Sequence, residues 1–410
     1  MLYYSTASTA GADQPTWVTV NYSAPNGAFL IARIDTLGSV SASRNVNYPS
    51  MYNGNILNIA ALDNGSSVCA SYINGQALVF QLGENGSTAW SKQIGLNTGA
   101  GQNFNPLGIA AVGNNVLLCG SINIVNQRVF VPIANDGSAV SGTSYVLPMQ
   151  QATGFVGSIP IIKPLPAGSG VITLEQVDRA KYLLASVDGN GQMRWLKQLD
   201  LAGLPSSISR VSFDIAVSPT SGNLAVLVAV DNAGIAQLVR LSSSGALLNA
   251  TNYTVSLNSS LRFGRLAVGT QDEAAWTLET STWLYYYGIG SQGQTLVSKQ
   301  LAAAPNYNGS IVVGGYGLVG IGRKGAYALG SFAGPSPTNY ANSSINYLRI
   351  NAAGQAGCNL ADAPALSSST ISTTQITTLP IPIATSVPAS STSYNLTNTP
   401  SVLTVSTVCQ

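Results

Sequence analysis

One turn recurs seven times in this chain, and its recurrence restricts the fold more than any other feature. In Gln81 to Gly95, QLGENGSTAWSKQIG, an apolar strand runs into a polar turn ending at Gly86, and Trp90 opens the next strand four residues later, followed by Lys92-Gln93. The plan returns at Val187 to Leu199, VDGNGQMRWLKQL, with Gly191, Trp195 and Lys197-Gln198, and in GSQGQTLVSKQL with Gly293, Val297 and Lys299-Gln300. Gly38, Gly137, Gly245 and Gly354 mark weaker copies. The glycines stand 48, 51, 54, 54, 48 and 61 residues apart, the length of one four-stranded propeller blade with generous loops. This predicts an all-β chain. It further predicts that residues 1–358 form a seven-bladed β-propeller of four-stranded antiparallel blades, and 359–410 a C-terminal Ser/Thr-rich extended arm.

Alternating apolar and polar residues with β-branched and aromatic content predict strands throughout, with no helical period. In the first blade these are Leu2 to Ser8, Trp17 to Tyr22, Ala28 to Asp35 and Val40 to Val46. Leu2 to Ser8 could instead complete the last blade. Either way, pairing the termini would close the ring and remove an open edge. Blades two to six span Ile56 to Gly95, Leu107 to Leu147, Ile159 to Leu199, Phe213 to Val255 and Phe263 to Leu301, and blade seven begins near Gly317. From Pro364 to Gln410 the chain carries neither glycine nor charge. That segment reads either as an extended, partly disordered tail or as an arm of short strands docking on the propeller or on a neighbouring subunit.

Charged residues make up 8% of the chain, against about 25% in a typical soluble domain. Ser, Thr, Asn and Gly must therefore supply most of the solvent-facing surface, which is neutral and hydrogen-bonding. The net charge of +2 is scattered, so no nucleic-acid partner is expected. No apolar run approaches the roughly 18 to 20 residues of a membrane helix, so no membrane insertion is expected. The N-terminus lacks the basic and apolar pattern of a secretory leader. This leaves a leader already removed, or release inside a particle by lysis.

The chain has no histidine, which excludes Ser-His-Asp and Cys-His catalysis and His-ligated zinc. Several of its fifteen carboxylates, Asp63, Asp136, Asp188 and Asp231, stand just before turn glycines, where side chains bond the local backbone. The densest acidic groups are Asp272-Glu273 with Glu279, and Glu175 with Asp178. A glycosidase would need two carboxylates facing one cleft, roughly 5 to 9.5 Å apart. Asp188-Gly-Asn-Gly begins like a calcium loop but lacks the later ligands, so neither metal nor cofactor is expected. Trp283, Tyr285 and Tyr287 fall on one face of a strand, with Tyr286 on the other. They read as packing between blades or as an exposed platform for sugar rings. With Tyr340, in the long loop Gly334 to Ser344, they are the candidate ligand-binding residues. Cys69 and Cys119 occupy the same place in adjacent blades and read as buried core. A bridge between Cys358 and Cys409 would close the whole tail into a loop.

The segments ALVFQLGENGSTAWSKQIG and YLLASVDGNGQMRWLKQLD resemble the repeats of secreted bacterial and bacteriophage β-propellers, in which an apolar strand, an Asp/Ser/Asn-Gly turn and Trp-x-Lys/Arg-Gln recur. Tailed-phage propellers in particular begin without a leader and end in a Ser/Thr-rich tail. The resemblance implies a non-enzymatic structural or adhesion protein of a virion, a phage tail, fibre or decoration component. Its partners would be other virion or surface-assembly proteins and a host-surface glycan. The alternative is an exported lectin-like propeller, extracellular or at the cell surface. A third reading is a carbohydrate-active enzyme using Asp272, Glu273 or Glu279.

Overall fold

The structure is a computed structural model that describes residues 4–6, 15–22, 28–35, 39–47, 58–97, 103–122, 127–139, 141–148, 160–178, 180–204, 211–230, 234–255, 261–280, 283–302, 313–322, 325–332, 344–350 and 360–400. Among these the protein is all-β, with a single 3-10 turn at Pro166–Gly168. Among the described residues no helix is long and apolar enough to cross a membrane.

Six successive antiparallel meanders of four strands follow the predicted repeat. The first comprises β1 (Tyr4–Thr6), β2 (Thr16–Tyr22), β3 (Ala28–Ile34) and β4 (Val40–Asn47). The second comprises β5 (Asn58–Ala61), β6 (Ser67–Ile73), β7 (Gln76–Leu82) and β8 (Thr88–Leu96), and the third β9 (Phe104–Val112), β10 (Asn115–Ile122), β11 (Gln127–Ile133) and β12 (Ser141–Val146). The fourth has β13 (Ile161–Pro164), β14 (Val171–Asp178), β15 (Lys181–Val187) and β16 (Met193–Asp200). The fifth has β17 (Val211–Val217), β18 (Leu224–Val230), β19 (Ile235–Leu241) and β20 (Leu247–Thr254), and the sixth β21 (Leu261–Val268), β22 (Ala274–Thr280), β23 (Trp283–Ile289) and β24 (Thr295–Ala302). A last sheet has β25 (Val313–Gly322), β26 (Gly325–Phe332) and β27 (Ser344–Ile350). The N-terminal strand belongs to the first sheet, where Tyr4–Thr6 pairs antiparallel with β2.

The repeated turn has one geometry wherever it is described. Gly86, Gly137, Gly191, Gly245 and Gly293 have φ of 78°, 80°, 80°, 74° and 88°. Each donates its N–H to the carbonyl three residues back, as Gly86 does to Gly83 at 2.8 Å and Gly191 to Asp188 at 3.0 Å. This is a type I turn closed by a left-handed residue, which glycine adopts without steric cost. The extra residue appears as a register shift after Gln81, Arg240 and Gly288. Gly38 and Gly354 lie outside the described residues.

In the second and fifth repeats burial falls from the middle towards the last strand. Leu224–Val230 is buried at every position, and Gln76–Leu82 at all but the first. A strand buried on both faces reads as a continuous apolar run, as LAVLVAV does. The fourth strands mix buried and half-exposed positions, as in Thr88–Leu96 and Leu247–Thr254. Full burial of a Val, Leu or Phe side chain contributes about 1.5–3 kcal/mol each, so the second and third strands carry most of the hydrophobic stabilisation. Cys69 and Cys119 are free and buried within them.

Five short strands follow the last sheet: β28 (Ala361–Asp362), β29 (Ser367–Thr370), β30 (Gln375–Leu379), β31 (Thr385–Ser393) and β32 (Thr397–Pro400). The chain divides into two compact units. In the unit built mainly from 199–376, β28 pairs with β24 and β29 with β20. In the unit built mainly from 14–198 and 377–405, β30 is the fifth strand beside β16, and β32 pairs with β4. Between them β31 pairs first with β12 and then with β8, joining two meanders into one nine-stranded sheet. The switch falls at Pro388-Ala389, where proline has no N–H to give to a ladder.

Candidate functional site

In the first, second, third and fifth meanders a residue of the fourth strand reaches the turn of the next repeat. Arg44 Nη2 donates to the Asn85 carbonyl at 2.9 Å, and the Trp90 indole N–H to the Asn135 carbonyl at 2.7 Å. Tyr145 Oη accepts the Met193 N–H at 2.8 Å, and Tyr253 Oη donates to the Gly293 carbonyl at 2.8 Å. The turn glycines make room for this contact: a Cβ on Gly137 would stand 2.7 Å from the Trp90 ring. Trp90 is thus an inter-repeat wedge rather than a ligand contact. Trp195 is half-buried, with the Lys197 ammonium 5.7 Å from its ring centroid.

The carboxylates that could carry acid-base chemistry are engaged by their own fold. Asp136 Oδ1 accepts the Ser138 N–H, and Asp188 Oδ1 those of Asn190 and Gln192, each at 2.9 Å. Asp272, at φ 60°, accepts Ser221 Oγ on one oxygen and Asn223 Nδ2 on the other, both at 2.7 Å. Burial pushes its carboxyl up, but donors from Ser218, Ser221 and Asn223 and the charge of Arg240 outweigh this and hold it below the usual range. Arg240 binds the Asp272 carbonyl and, at 2.9 Å, the Gly290 carbonyl. Glu273 accepts the Gln271 N–H at 2.8 Å. The Glu279 side chain lies outside what the structure describes. Among the described residues no cluster of Cys, Asp and Glu could hold a metal ion.

Glu175 forms a buried ion pair with Arg128 of the preceding repeat, Nε standing 3.1 Å from Oε2. Burial pushes the Glu175 carboxyl up, opposed by the Arg128 charge and hydrogen bond. No sequence motif announces this pair, since nothing in QRVFVPI or VITLEQVD says that one repeat's cation meets the next repeat's anion.

The aromatic candidates are placed differently from a binding platform. Tyr285 and Tyr287 are fully buried in one apolar cluster, their rings stacked at 6.5 Å, and Trp283 packs against that cluster half-buried. Tyr287 also meets Trp276, 5.6 Å away, and Trp276 meets Tyr253 at 5.1 Å. The exposed sugar platform is therefore corrected: neither Tyr285 nor Tyr287 offers a ring face to solvent. Tyr340, Cys358 and Cys409 lie outside the described residues.

The lysines of the repeat have a role that the sequence did not reveal. Lys92 Nζ donates to Ser393 Oγ at 3.3 Å, and Lys299 Nζ meets Asp362 Oδ1 at 2.6 Å. Ser91 Oγ bonds the Tyr394 carbonyl. Asn398 Nδ2 reaches the Gly86 carbonyl at 2.9 Å and Thr88 Oγ1 at 3.0 Å. Their common partner is the C-terminal segment.

No family model matches the chain, and no curated protein matches it. Among solved structures it is similar to the dihydro-heme d1 dehydrogenase NirN in complex with DHE, at 12% identity over 90% of this chain and 74% of that one, with a TM-score of 0.44. It is also similar to a protein from Lactobacillus plantarum, at 10% identity over 89% of this chain and 99% of that one, TM-score 0.43. Prolyl oligopeptidase B from Galerina marginata, as apo protein, aligns at 9% identity over 89% of this chain and 51% of its own length, TM-score 0.44. The expected virion structural or adhesion protein is corrected here: two of these structures are enzymes by name, and none is named as a virion component. At such identity they bring neither an activity nor a ligand to this chain.

Proposed function

We propose that the protein is a non-catalytic β-repeat scaffold of the propeller type, with seven blades, whose C-terminal segment is a strap along the outer edges of the sheets. One observation carries the reading: residues 361–400 add a strand beside the fourth strand of each of the first six meanders. An unpaired outer strand presents a row of free N–H and C=O groups, a template for aggregation. The strap occupies those groups and makes the chain self-contained. Its neutral Ser/Thr surface suits a durable platform more than electrostatic capture of a charged substrate.

The engagement of Asp136, Asp188, Asp272, Glu273 and Glu175 within turns, clasps and an ion pair supports the non-catalytic part. Hydrogen exchange on the native protein tests the strap. Backbone amides within 385–393 and 397–399 should be protected as well as those of β8 and β4. Exchange at unstructured rates there would sink the reading. Incubation with glycan and peptide libraries, followed by product analysis, tests the absence of turnover, and any turnover lost in Asp272→Asn would overturn it.

A further inference from the structure

The strap is held as a series of short ladders, not as one long strand. It pairs over two residues with β24, four with β20, four with β12, five with β8 and four with β4. Prolines at 364, 380, 382, 388 and 400 punctuate it, and each removes one N–H from pairing. Each ladder is weak alone, and the whole is held because neighbouring segments are covalently linked and so present at high effective concentration.

Each ladder also has an apolar anchor. Ala363 and Leu366 seat on the cluster around Trp276, and Leu379 on the one around Leu183. Val387 and Ala389 seat on the cluster around Val79, and Tyr394 and Leu396 on the one around Phe80. With the Lys299–Asp362, Lys92–Ser393 and Asn398–Gly86 contacts, these anchors fit the acceptor edge to this particular sequence.

We propose that the outer edges are an interaction surface for the strap of a second copy of this chain, so that copies become linked by exchanging straps. The inference rests on the strap reading above. Exchange replaces every contact with an identical one, the condition under which element swapping costs little. Separable ladders allow it to proceed one segment at a time, so no step exposes all the edges at once. The same anchors make a foreign strand a poor substitute.

The register pair Gln93 and Thr392 provides the test. Chains carrying only Gln93→Cys, made with heavy isotopes, are mixed with unlabelled chains carrying only Thr392→Cys, incubated or refolded together, and treated with oxidised glutathione. A chain carrying both substitutions serves as the reference and should close within itself. Exchange predicts a heavy–light peptide linked through residues 93 and 392, its yield rising with protein concentration by mass action. If the double variant closes and the mixture gives no heavy–light link even after co-refolding, the exchange proposal is overturned while the strap stands. If the double variant does not close, the strap reading falls and the proposal falls with it.

Discussion

The indole N–H of Trp90 donates to the carbonyl of Asn135, 2.7 Å away and 45 residues further along the chain. The bond joins the strand after one turn to the turn of the next repeat, and the ring beside it fills the space that Gly137 leaves open. Trp90→Phe keeps most of the ring and loses the bond, and should cost about 1 kcal/mol in urea unfolding. Gly137→Ala should cost more than about 1 kcal/mol, because φ is 80° and the new Cβ meets the indole. The two sites touch, so Trp90→Ala with Gly137→Ala should cost less than the sum of the single changes. Strict additivity would show that the wedge is not there.

Arg128 and Glu175 are a buried pair, and a buried pair is costly to break by halves. Arg128→Met alone leaves a buried carboxylate and should destabilise by about 3–5 kcal/mol, whereas Arg128→Met with Glu175→Leu should recover most of that. The pH dependence has a definite sign. Burial raises the Glu175 carboxyl above its ordinary value of 4.5, so the folded protein holds that proton more tightly than the unfolded chain. Its contribution is complete below the ordinary value and is lost as pH rises through the raised one. Wild-type stability minus that of Glu175→Gln should therefore fall as pH rises through this window, in urea unfolding measured at a series of pH values. A difference that grows with pH would contradict the burial-dominated shift.

Two tyrosines of one cluster should respond in opposite ways. Tyr253 Oη is bonded to the Gly293 carbonyl, and Tyr253→Phe should cost about 1 kcal/mol. Tyr287 Oη is buried and has no partner among the described residues. Removing an unsatisfied polar atom while keeping the ring is neutral or stabilising. Tyr287→Phe should therefore leave the thermal midpoint unchanged or raise it, and a loss like that of Tyr253→Phe would mean the hydroxyl is engaged.

The meanders were legible in the sequence because their determinants are local. A glycine at positive φ, a polar turn before it and an apolar run on either side recur at one spacing, and each copy can be read without its neighbours. The place of Trp90 was legible for the same reason, since a tryptophan four residues after the turn glycine recurs at Trp195. The strap was not. Ser367–Thr370 and Thr397–Pro400 have few apolar residues and no turn glycine, and they are strands because β20 and β4 offer them an edge. The Arg128–Glu175 pair depends on alignment between adjacent repeats, which no local pattern encodes. Tyr285 and Tyr287 showed the reverse problem, because strand alternation identifies a shared face and leaves open whether that face meets solvent or the core.

Val387 is the sharpest probe of the strap, because it is the buried anchor in the strand that joins the second and third meanders. Replacing it with Asp puts a charge into the apolar cluster that includes Val79 and Val131, which a carboxylate tolerates only by leaving or by taking up a proton. The paired ladders on both sides should then open locally, while the four-stranded meanders, held by their own second and third strands, remain folded. Native-state hydrogen exchange should show faster exchange on both sides of the lost strand, at amides of β12 between Ser141 and Ser144 and of β8 between Lys92 and Leu96. Amides of β6 and β10 should keep wild-type protection. Because opening a strap ladder frees an edge, Val387→Asp should also self-associate more readily at high concentration. Faster exchange spread evenly over all strands would mean that Val387 supports the whole core rather than the strap alone.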